Sequence, residues 1–313
     1  MYHDTFYFYF ADMRMPKEDI YIGKSTVEYL RFFIVAATLC VAIYIDELQT
    51  LSNNTYSYLL SSIIFNSVYF ETFWATICYA VIIPVYPWFV AKQRWLDKYK
   101  IDPSVTYVPT TVLKIIQDAI IYVSPLMLLD TFMVKMYCGV DSMVWVEKRQ
   151  DFIQVTRALP TEPPPVGQMV YHLVASLIVY DIIFFALHYT LHRNYFLYNY
   201  VHKPHHDHGM IHAHVTNQLT VPERIALILS ANFALKVFNS HPWTRTIFVP
   251  IFIFILVDNH SGYDMPFGLH RLVPFGLVGG SLNHFQHHMK GKRHYQPILT
   301  YLDKLLDCIR SMK

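Results

Sequence analysis

Apolar runs long enough to cross a membrane alternate with polar connections over most of the chain. Residues 72–90 form the clearest run, since a helix needs about 20 predominantly apolar residues to cross the hydrocarbon core. Residues 113–137 and 169–187 are further candidate spans, and 32–45 is a shorter apolar run. This pattern predicts an all-α integral membrane protein built around a helical transmembrane bundle.

Prolines and charged residues interrupt some of these runs. Pro84 and Pro87 lie inside residues 72–90, where they are expected to bend or end the helix. Residues 113–137 contain two aspartates and a proline, so this span is predicted on weaker grounds. Residues 138–167 hold four prolines and mixed charge. We predict a loop rather than a packed element for this segment.

Two shorter apolar runs occupy residues 225–238 and 246–257. Each has about two thirds of the length needed for a full span. Whether the pair crosses the membrane or only enters it, a hairpin begins and ends on one side. Residues 202–214 and 260–288 are therefore predicted on the same face of the membrane.

Basic residues indicate on which side of the membrane that face lies. Residues 72–90 are followed by Lys92, Arg94, Lys98 and Lys100. Because cytoplasmic loops carry an excess of lysine and arginine, this end of the span is assigned to the cytosol. Residues 169–187 then return the chain to the same side. The predicted architecture is a membrane bundle with a cytosolic, histidine-rich catalytic cap.

Histidine clusters dominate that cap. Eight of the 17 histidines lie between His188 and His214. The clusters are His188-x-x-x-His192, His202-x-x-His205-His206 and His284-x-x-His287-His288. Residues four apart share one face of a helix, and neutral imidazole is the commonest metal ligand. Eight imidazoles exceed the four that close one zinc site, so they suit two metal ions. Pro204 predicts a distorted turn in the second cluster.

Other residues have simpler interpretations. Asp181 lies seven residues before His188, so on a helix it could orient that imidazole as a carboxylate partner. The remaining histidines are interpreted as surface, interfacial, cap-lining or structural residues. These are His3, His172, His208, His212, His214, His241, His270 and His294. The alternative for the clusters themselves is a polar or pH-responsive membrane edge, which the repeated spacing disfavours.

Composition supports the membrane class. The chain has 313 residues, of which 54% are hydrophobic and 15% charged, whereas about 25% charged is usual for a soluble domain. The net charge of +2 gives no reason to expect a nucleic-acid partner. The four cysteines are scattered, without a CxxC pair. The first residues lack the basic and apolar regions of a cleavable signal peptide.

The three histidine clusters resemble those of the fatty acid hydroxylase superfamily, the membrane-bound di-iron oxygenases of lipid metabolism. The stretch Asp258-Asn-His-Ser-Gly-Tyr-Asp-Met-Pro266 and the following residues 270–276 are similar to the sterol hydroxylase branch. The resemblance covers roughly residues 70–310. It divides the chain into an N-terminal region, 1–70, with a candidate first membrane segment, and a di-iron domain, 71–313.

The resemblance implies a multi-pass enzyme of the endoplasmic reticulum membrane. It implies two iron ions, molecular oxygen, and electrons from NAD(P)H through a membrane redox partner such as cytochrome b5 or its reductase. The implied reaction hydroxylates a membrane sterol, with the cholesterol side chain at C25 as the expected position. The implied metal ligands are His188, His192, His202, His205, His206, His260, His284, His287 and His288. Asp264 stands where fatty acid hydroxylase relatives have a further histidine, as a candidate ligand or outer partner.

Two alternatives remain open from sequence. Within the enzyme class, a methyl-sterol oxidase, sterol desaturase or fatty-chain hydroxylase would use the same core. The second class is a histidine-rich membrane metal transporter or sensor. Transporters usually carry their ligands within the spans, near the bilayer midplane. The apolar runs at 113–137 and 246–257 contain no histidine, which favours the enzyme.

Overall fold

The computed structural model describes residues 24–312, and it is helical with no sheet in that range. His3 and the segment expected to lack a signal peptide lie outside the described residues. In chain order the α-helices are Lys24–Ile43 (α1), Ile45–Leu60 (α2), Ile63–Asn66 (α3), Phe70–Lys92 (α4), Val112–Phe132 (α5), Ser142–Lys148 (α6), Val166–Arg193 (α7), Tyr195–Leu197 (α8), Lys203–His206 (α9), Val221–Val237 (α10), Pro242–Asn259 (α11), Leu269–Leu272 (α12), Gly280–Lys290 (α13) and Tyr301–Ser311 (α14). Arg94–Tyr99 and Ala213–Asn217 are 3-10 turns, and Tyr198–His202 is a π-helical turn.

Five helices are long and apolar enough to cross a membrane: α4, α5, α7, α11 and the stretch Thr26–Ile43 of α1. This confirms the predicted class, an all-α membrane protein. Helix α1 begins well before the apolar run predicted at 32–45, so it is long enough for a span. Its apolar side chains are largely exposed to the surroundings of the protein, as lipid-facing residues would be.

Pro84 and Pro87, expected to bend or end their helix, do not end it. Both lie inside the continuous helix α4. Pro125 is likewise inside α5 and Pro250 inside α11. In an apolar environment the backbone has no water as an alternative partner, so helices continue through proline when neighbouring helices support them.

Five helices, α4, α5, α7, α10 and α11, form the central bundle. The most extensive contacts are between α7 and α10, α4 and α11, and α4 and α5. The indole of Trp74 on α4 donates to the carbonyl of Thr246 on α11 at 2.8 Å. Helices α10 and α11 form the predicted hairpin, joined by a turn at residues 238–241. The N-terminus of α10 and the C-terminus of α11 therefore lie at the same end as the histidine clusters.

A second layer covers the opposite end of the bundle, and here the loop predicted at 138–167 is partly wrong. That segment contains helix α6, and Gln154 and Arg157 are buried. The Arg157 side chain donates to the carbonyl of Phe65 and to Glu71. Tyr56 on α2 donates to the carbonyl of Pro160 at 2.7 Å. Local proline content does not show these long-range polar partners, which make the segment a packed cap.

Candidate metal centre

Four chain segments deliver the nine clustered histidines to one end of the bundle. His188 and His192 lie on the last turns of α7, and His260 directly follows α11. The π-helical turn and α9 carry the second cluster, with Pro204 in the first turn of α9. Proline is tolerated there because that turn needs no intrahelical N–H. Helix α13 carries the third cluster. The predicted distorted turn at Pro204 is therefore present.

The structure gathers these residues into two compact groups. In each group, the candidate ligand atoms lie within 4.8 Å of one another. The first histidine group is His188, His192, His202, His206 and His287. The second histidine group is His205, His260, His284 and His288. All nine side chains are buried or partly buried. Each group thus draws on segments that are distant in sequence.

The Nε2 atoms face one another inside each group. In the first, His202 Nε2 lies 2.9 Å from that of His192, 3.0 Å from that of His206 and 3.2 Å from that of His188. In the second, His284 Nε2 lies 2.9 Å from that of His260 and 3.1 Å from that of His288. Two nitrogens bound at about 2.1 Å and at right angles on one ion are about 3.0 Å apart. The spacing fits ligand sets.

Partners on the outer side of the rings fix the tautomers. Nδ1 of His188 lies 2.8 Å from the carbonyl of Tyr295, and Nδ1 of His287 lies 2.7 Å from that of Arg293. Nδ1 of His260 lies 2.7 Å from the carbonyl of Leu256. A carbonyl only accepts, so these Nδ1 atoms carry the proton and their Nε2 atoms present lone pairs. Lone pairs facing one another at about 3 Å need a cation between them, so the residues fit metal ions.

Burial keeps the imidazoles neutral. Burial and neighbouring imidazoles lower the pKa of His202 to about 2, and burial is the main cause that lowers the pKa of His260 to about 4. The pKa values of His205 and His288 are also held well below the ordinary value, again chiefly by burial. A metal ligand must be deprotonated. These imidazoles therefore need no proton release to bind a metal ion at neutral pH.

The two groups are neighbours. The ring centroids of His206 in the first group and His288 in the second are 4.5 Å apart, and those of His202 and His205 are 5.5 Å apart. Alternate members of one short helical segment, 202–206, thus serve different groups. The doublet His205-His206 points its two rings to the two sides, as does His287-His288. This arrangement accommodates two metal ions side by side.

Glu223 is a candidate site residue that the sequence pattern did not single out. It is buried at the start of α10, and its Oε1 accepts a hydrogen bond from His202 Nδ1 at 2.6 Å. Such carboxylate–histidine pairs orient metal ligands and raise their basicity. The available signal was Thr220-x-x-Glu223, which is typical of a helix start. It does not reveal a partner 21 residues away in sequence.

A large cavity begins at the histidine groups and runs into the bundle. His202, His205, His260 and His284 line one end of it. Its walls come from α4, α5, α7, α10 and α11, and its empty volume is about 1210 Å³, including the part open to the surroundings. The cavity joins residues of both histidine groups to a mainly apolar wall, which suits an apolar molecule that reaches both groups.

Comparison with known proteins decides the family. The family model described as fatty acid hydroxylase matches residues 173–308, a range that includes all nine clustered histidines. Cholesterol 25-hydroxylase of Mus musculus is 30% identical over 233 residues, which cover 74% of this chain and 71% of the mouse protein. The chain belongs to the fatty acid hydroxylase family.

Shorter matches reach other members of the fatty acid hydroxylase family. Cholesterol 25-hydroxylase of Homo sapiens is 33% identical over 153 residues, 49% of this chain and 56% of the human protein. A Dictyostelium discoideum protein, provisionally named a methylsterol monooxygenase, is 29% identical over 142 residues, 45% of this chain and 52% of that protein. These two matches span about half the length of each relative. No solved structure is significantly similar to the chain.

Asp264, predicted as a candidate ligand or outer partner, lies in neither histidine group. Its carboxylate accepts from His270 Nε2 at 2.6 Å and forms an ion pair with Arg271. These two partners hold the pKa of Asp264 below its usual value although burial acts in the opposite direction. In the structure Asp264 therefore anchors the segment around α12.

Asp181 also does not contact a clustered histidine. It is fully buried and accepts from the backbone N–H groups of Ile298 and Leu299 at 2.8 and 3.2 Å, and from the Gln296 side chain. Because Tyr295 in the same segment accepts from His188, Asp181 acts on that imidazole only through the backbone. The direct orienting contact expected from the helix spacing is absent between these described residues.

The remaining histidines lie outside both groups. His208 Nε2 is 2.9 Å from His288 Nδ1, so it is an outer partner of the second group. His214 lies beside Thr110 and the carbonyl of Val108. His172 and His241, predicted as surface or interfacial residues, are instead buried at the opposite half of the protein.

Proposed function

We propose that this chain is a membrane-bound sterol hydroxylase that uses dioxygen and two iron ions. The first and second histidine groups would each hold one ion. The net reaction consumes dioxygen, two electrons and two protons, and yields a hydroxylated sterol and water. We further propose that residues 71–313 form the catalytic domain and that residues 1–70 are an N-terminal addition with its own span.

One observation carries this proposal: a single apolar-walled cavity ends on residues of both histidine groups. Bound iron would supply the activation of dioxygen that an unactivated C–H bond requires. The chain itself would hold the metal ions through neutral, carbonyl-anchored imidazoles. Aromatic and aliphatic walls such as Phe184, Phe252 and Leu256 would orient the substrate and exclude water.

The sterol and the C25 position rest on relatives. Proteins named cholesterol 25-hydroxylase and one named a methylsterol monooxygenase are similar to this chain, and the family model that matches the chain covers the histidines. Cholesterol, hydroxylated at C25, is therefore the first substrate to test. A methyl-sterol oxidase, a sterol desaturase or a fatty-chain hydroxylase would use the same histidine groups, and the product distinguishes them.

We also propose the endoplasmic reticulum membrane as the location, with the histidine groups on the cytosolic side. The support is the basic stretch after α4, which favours the cytosol for the end where the histidines lie. Electrons would come from NAD(P)H through a cytosol-facing membrane partner such as cytochrome b5 or its reductase.

A metal transporter or sensor is less well supported. The histidine groups lie at the ends of α7 and α11, not in the middle of the spans. The cavity that leads from them is lined mainly by apolar side chains, which suits a lipid better than an ion. Iron transport into sealed vesicles containing the protein would contradict the enzyme proposal.

The test is mass spectrometry of oxysterols from cells that express the chain and are fed cholesterol. A His205→Ala variant, present in the membrane at the same level, is the matched control. The expected result is a side-chain hydroxysterol with the native chain and none with the variant. If the iron-loaded native protein makes no sterol product, the sterol assignment is wrong. Product formation by His205→Ala and His287→Ala would overturn the assignment of the metal site.

A further inference from the structure

The cavity has a second polar end, far from the histidines, where Glu71, Lys135 and Arg245 line it. Together with Asp130 and Arg157, which pair with them without lining the cavity, they form an ionic cluster. Glu71 accepts from Arg245 Nε at 3.0 Å and from Arg245 Nη2 at 2.8 Å. Lys135 lies 3.2 Å from Glu71 and 2.7 Å from Asp130. Arg157 lies 3.3 Å from Glu71. Except for Lys135, whose side chain is 25% exposed, all these side chains are almost completely buried.

The ionic cluster carries an excess of positive charge. Three cationic side chains face two carboxylates, which leaves a formal charge of +1 among these five residues. A buried charge without a partner is costly. Lys135 also has three N–H donors, of which two are used by Glu71 and Asp130. The contacts of Arg245 with Glu71 and Asn232 use Nε and Nη2, leaving Nη1 for a further acceptor.

This cluster belongs to the same cavity as the metal centre. Glu71, Lys135, Arg245 and Asn232 line the cavity together with His205 and His260. Arg245 and His260 are at the two ends of α11, 15 residues apart, so the cavity extends over about 22 Å at 1.5 Å per residue. The wall between them is mainly aromatic and aliphatic, with residues such as Phe248, Phe252 and Ile253. Its chemistry is that of an elongated apolar molecule with one polar end.

We propose that the cavity-lining cations of the ionic cluster, Lys135 and Arg245, bind the oxygen-bearing end of the lipid substrate and so direct the opposite, apolar end to the histidine groups. A hydroxyl or carboxylate oxygen would accept from Lys135 and Arg245. This inference rests on the proposed function, because it takes the histidine groups as the reacting end. It adds the orientation of the substrate and the residues that bind its polar end.

A competing polar site exists on the same cavity wall. Arg224 is buried, and its Nε and Nη1 have no hydrogen-bond partner among the described residues. It directly follows Glu223, the partner of His202, and therefore lies at the histidine end. Among the described residues that line that end, Arg224 is the one lysine or arginine, and its guanidinium is 5.9 Å from the Tyr122 ring centroid. The ionic cluster offers several converging donors, so it is the stronger receptor for an oxygen.

The test compares the affinities of the protein for two ligands that differ only at the polar end. Purified full-length protein in lipid nanodiscs is titrated with cholesterol and with 5-cholestene, which lacks the 3-hydroxyl. A second pair, a long-chain fatty acid and its methyl ester, tests a carboxylate in place of the hydroxyl. The native protein is expected to prefer the member of one pair with the free hydroxyl or carboxylate by about tenfold. The absence of preference in both pairs would overturn the proposal.

Variants show which residues cause the preference for the free hydroxyl or carboxylate. Lys135→Met removes a proposed donor, and Asn232→Leu removes the Oδ1 that holds Arg245 Nη2 at 2.6 Å. Both variants are expected to reduce the preference to about twofold or less. Arg157→Lys is the matched control, because Arg157 contacts Glu71 without lining this cavity, and it should keep the preference. The ratio compares two ligands on one preparation, so a partly unfolded variant does not change it. If Lys135→Met does not fold, Asn232→Leu decides alone.

Two outcomes would contradict the orientation. Loss of the preference in Arg224→Met, with retention in Lys135→Met, would mean that the oxygen lies at the histidine end. Equal loss in Arg157→Lys and Lys135→Met would mean that the preference does not depend on contact with the cavity-lining donors, and the proposed contact would be wrong. The result is independent of turnover, since binding is measured directly. A protein that keeps the preference but forms no hydroxysterol would refute the proposed reaction and leave the binding site intact.

Discussion

At the residue scale, the position of the proton on each imidazole determines what the nine histidines can do. Carbonyl groups of Tyr295, Arg293 and Leu256 accept from the Nδ1 atoms of three of them. The Nε2 lone pairs then face inward. Among the described residues, Glu223 is the only carboxylate that accepts from the Nδ1 atom of one of these nine histidines. Its partner is His202, whose Nε2 lies close to the Nε2 atoms of three other members of the first group.

Glu223→Gln should therefore weaken metal binding. The amide keeps the size of the side chain, but its oxygen is a weaker acceptor for the His202 Nδ1–H than a carboxylate oxygen. Loss of such an outer partner typically costs 10- to 100-fold in metal affinity, and we expect a decrease of at least about tenfold. Iron retention against a competing chelator measures it. Glu147→Gln, an exposed position on α6, is the control, and equal retention in both variants would contradict the role of Glu223.

His241 gives a residue-scale prediction about pH. It caps α11: its Nδ1 accepts from the Trp243 N–H at 3.1 Å, and its Nε2 donates to the carbonyl of Glu162 at 3.1 Å. Burial lowers the pKa of His241 to about 4, below the value of about 6.5 in an unfolded chain. The unfolded state therefore takes up the proton first, so this contribution is present above pH 6.5 and is lost as pH falls toward 4.

His241→Asn keeps a capping side chain and removes the titration. At pH 7.5 the native protein and the variant should have similar stability. At pH 5 the native protein should have lost about 2 kcal/mol relative to the variant. Thermal unfolding of purified protein at the two pH values measures this difference. A difference between the two proteins that does not change with pH would show that His241 does not titrate as proposed.

Much of the candidate site was visible at this scale in the sequence. Spacing and family resemblance singled out the nine histidines that the structure gathers in two groups. His260 required the resemblance, because it stands alone in sequence. Glu223 and the carbonyl partners of His188 and His287 were not predictable, since they meet their histidines only through the packing of α10 and of residues 293–299. Asp264 shows the same limit, because His270 and Arg271 determine its role.

At the scale of elements, the segment after α13 is the link between the bundle and the first histidine group. Asp181 on α7 holds the backbone of Ile298 and Leu299, and Asp303 on α14 accepts from the N–H groups of Tyr295 and Gln296. Two helices thus fix the segment whose carbonyls orient His188 and His287. The predicted pairing of Asp181 with His188 identified the correct helix face. It did not show that the backbone of residues 295–299 lies between the two side chains.

Asp181→Ala should loosen this segment. Two buried N–H groups would lose their acceptor, at a cost of about 1–3 kcal/mol for each group left unpaired. Hydrogen exchange of residues 295–300 should become faster, and iron retention should decrease because the acceptor of His188 moves. Asp307→Ala is the control, since this exposed residue of α14 pairs only with Arg293 and Arg310 at 3.9 and 3.6 Å. Unchanged exchange in Asp181→Ala would exclude the anchoring role.

Element boundaries show where pattern and structure differ. The length of the apolar runs identified α4, α5, α7 and the α10–α11 hairpin. Each apolar residue adds its own free-energy cost of exposure to water, so this signal can be read from the local sequence. Proline did not end the helices, and residues 138–167 did not remain an open loop. Both differences come from neighbours: adjoining helices support the interrupted backbone, and Arg157 finds partners on α3 and α4. A local pattern contains no information on such partners.

At the scale of the whole molecule, the protein has two chemically different ends. The histidine groups lie where α7 and α11 end, and the packed cap with α6 and residues 133–165 lies where α5 ends and α7 begins. Two native cysteines mark these ends. Cys138 is exposed beside the α10–α11 turn, where its N–H donates to the carbonyl of Asn239 at 3.0 Å, and Cys308 is exposed on α14. Helices α4, α5 and α7 separate the two positions, so a membrane that these helices cross must lie between them.

Labelling of single-cysteine variants tests this arrangement and its orientation together. In sealed microsomes with the cytosolic face outward, a membrane-impermeant maleimide should label a chain that retains only Cys308. A chain that retains only Cys138 should react only after the vesicles are opened with detergent. The converse pattern would keep the two-ended bundle and reverse its orientation, moving the histidine groups to the lumen, away from cytosolic electron donors. Labelling of both cysteines in sealed vesicles would mean that the ends share one side, and the membrane-crossing bundle itself would be wrong.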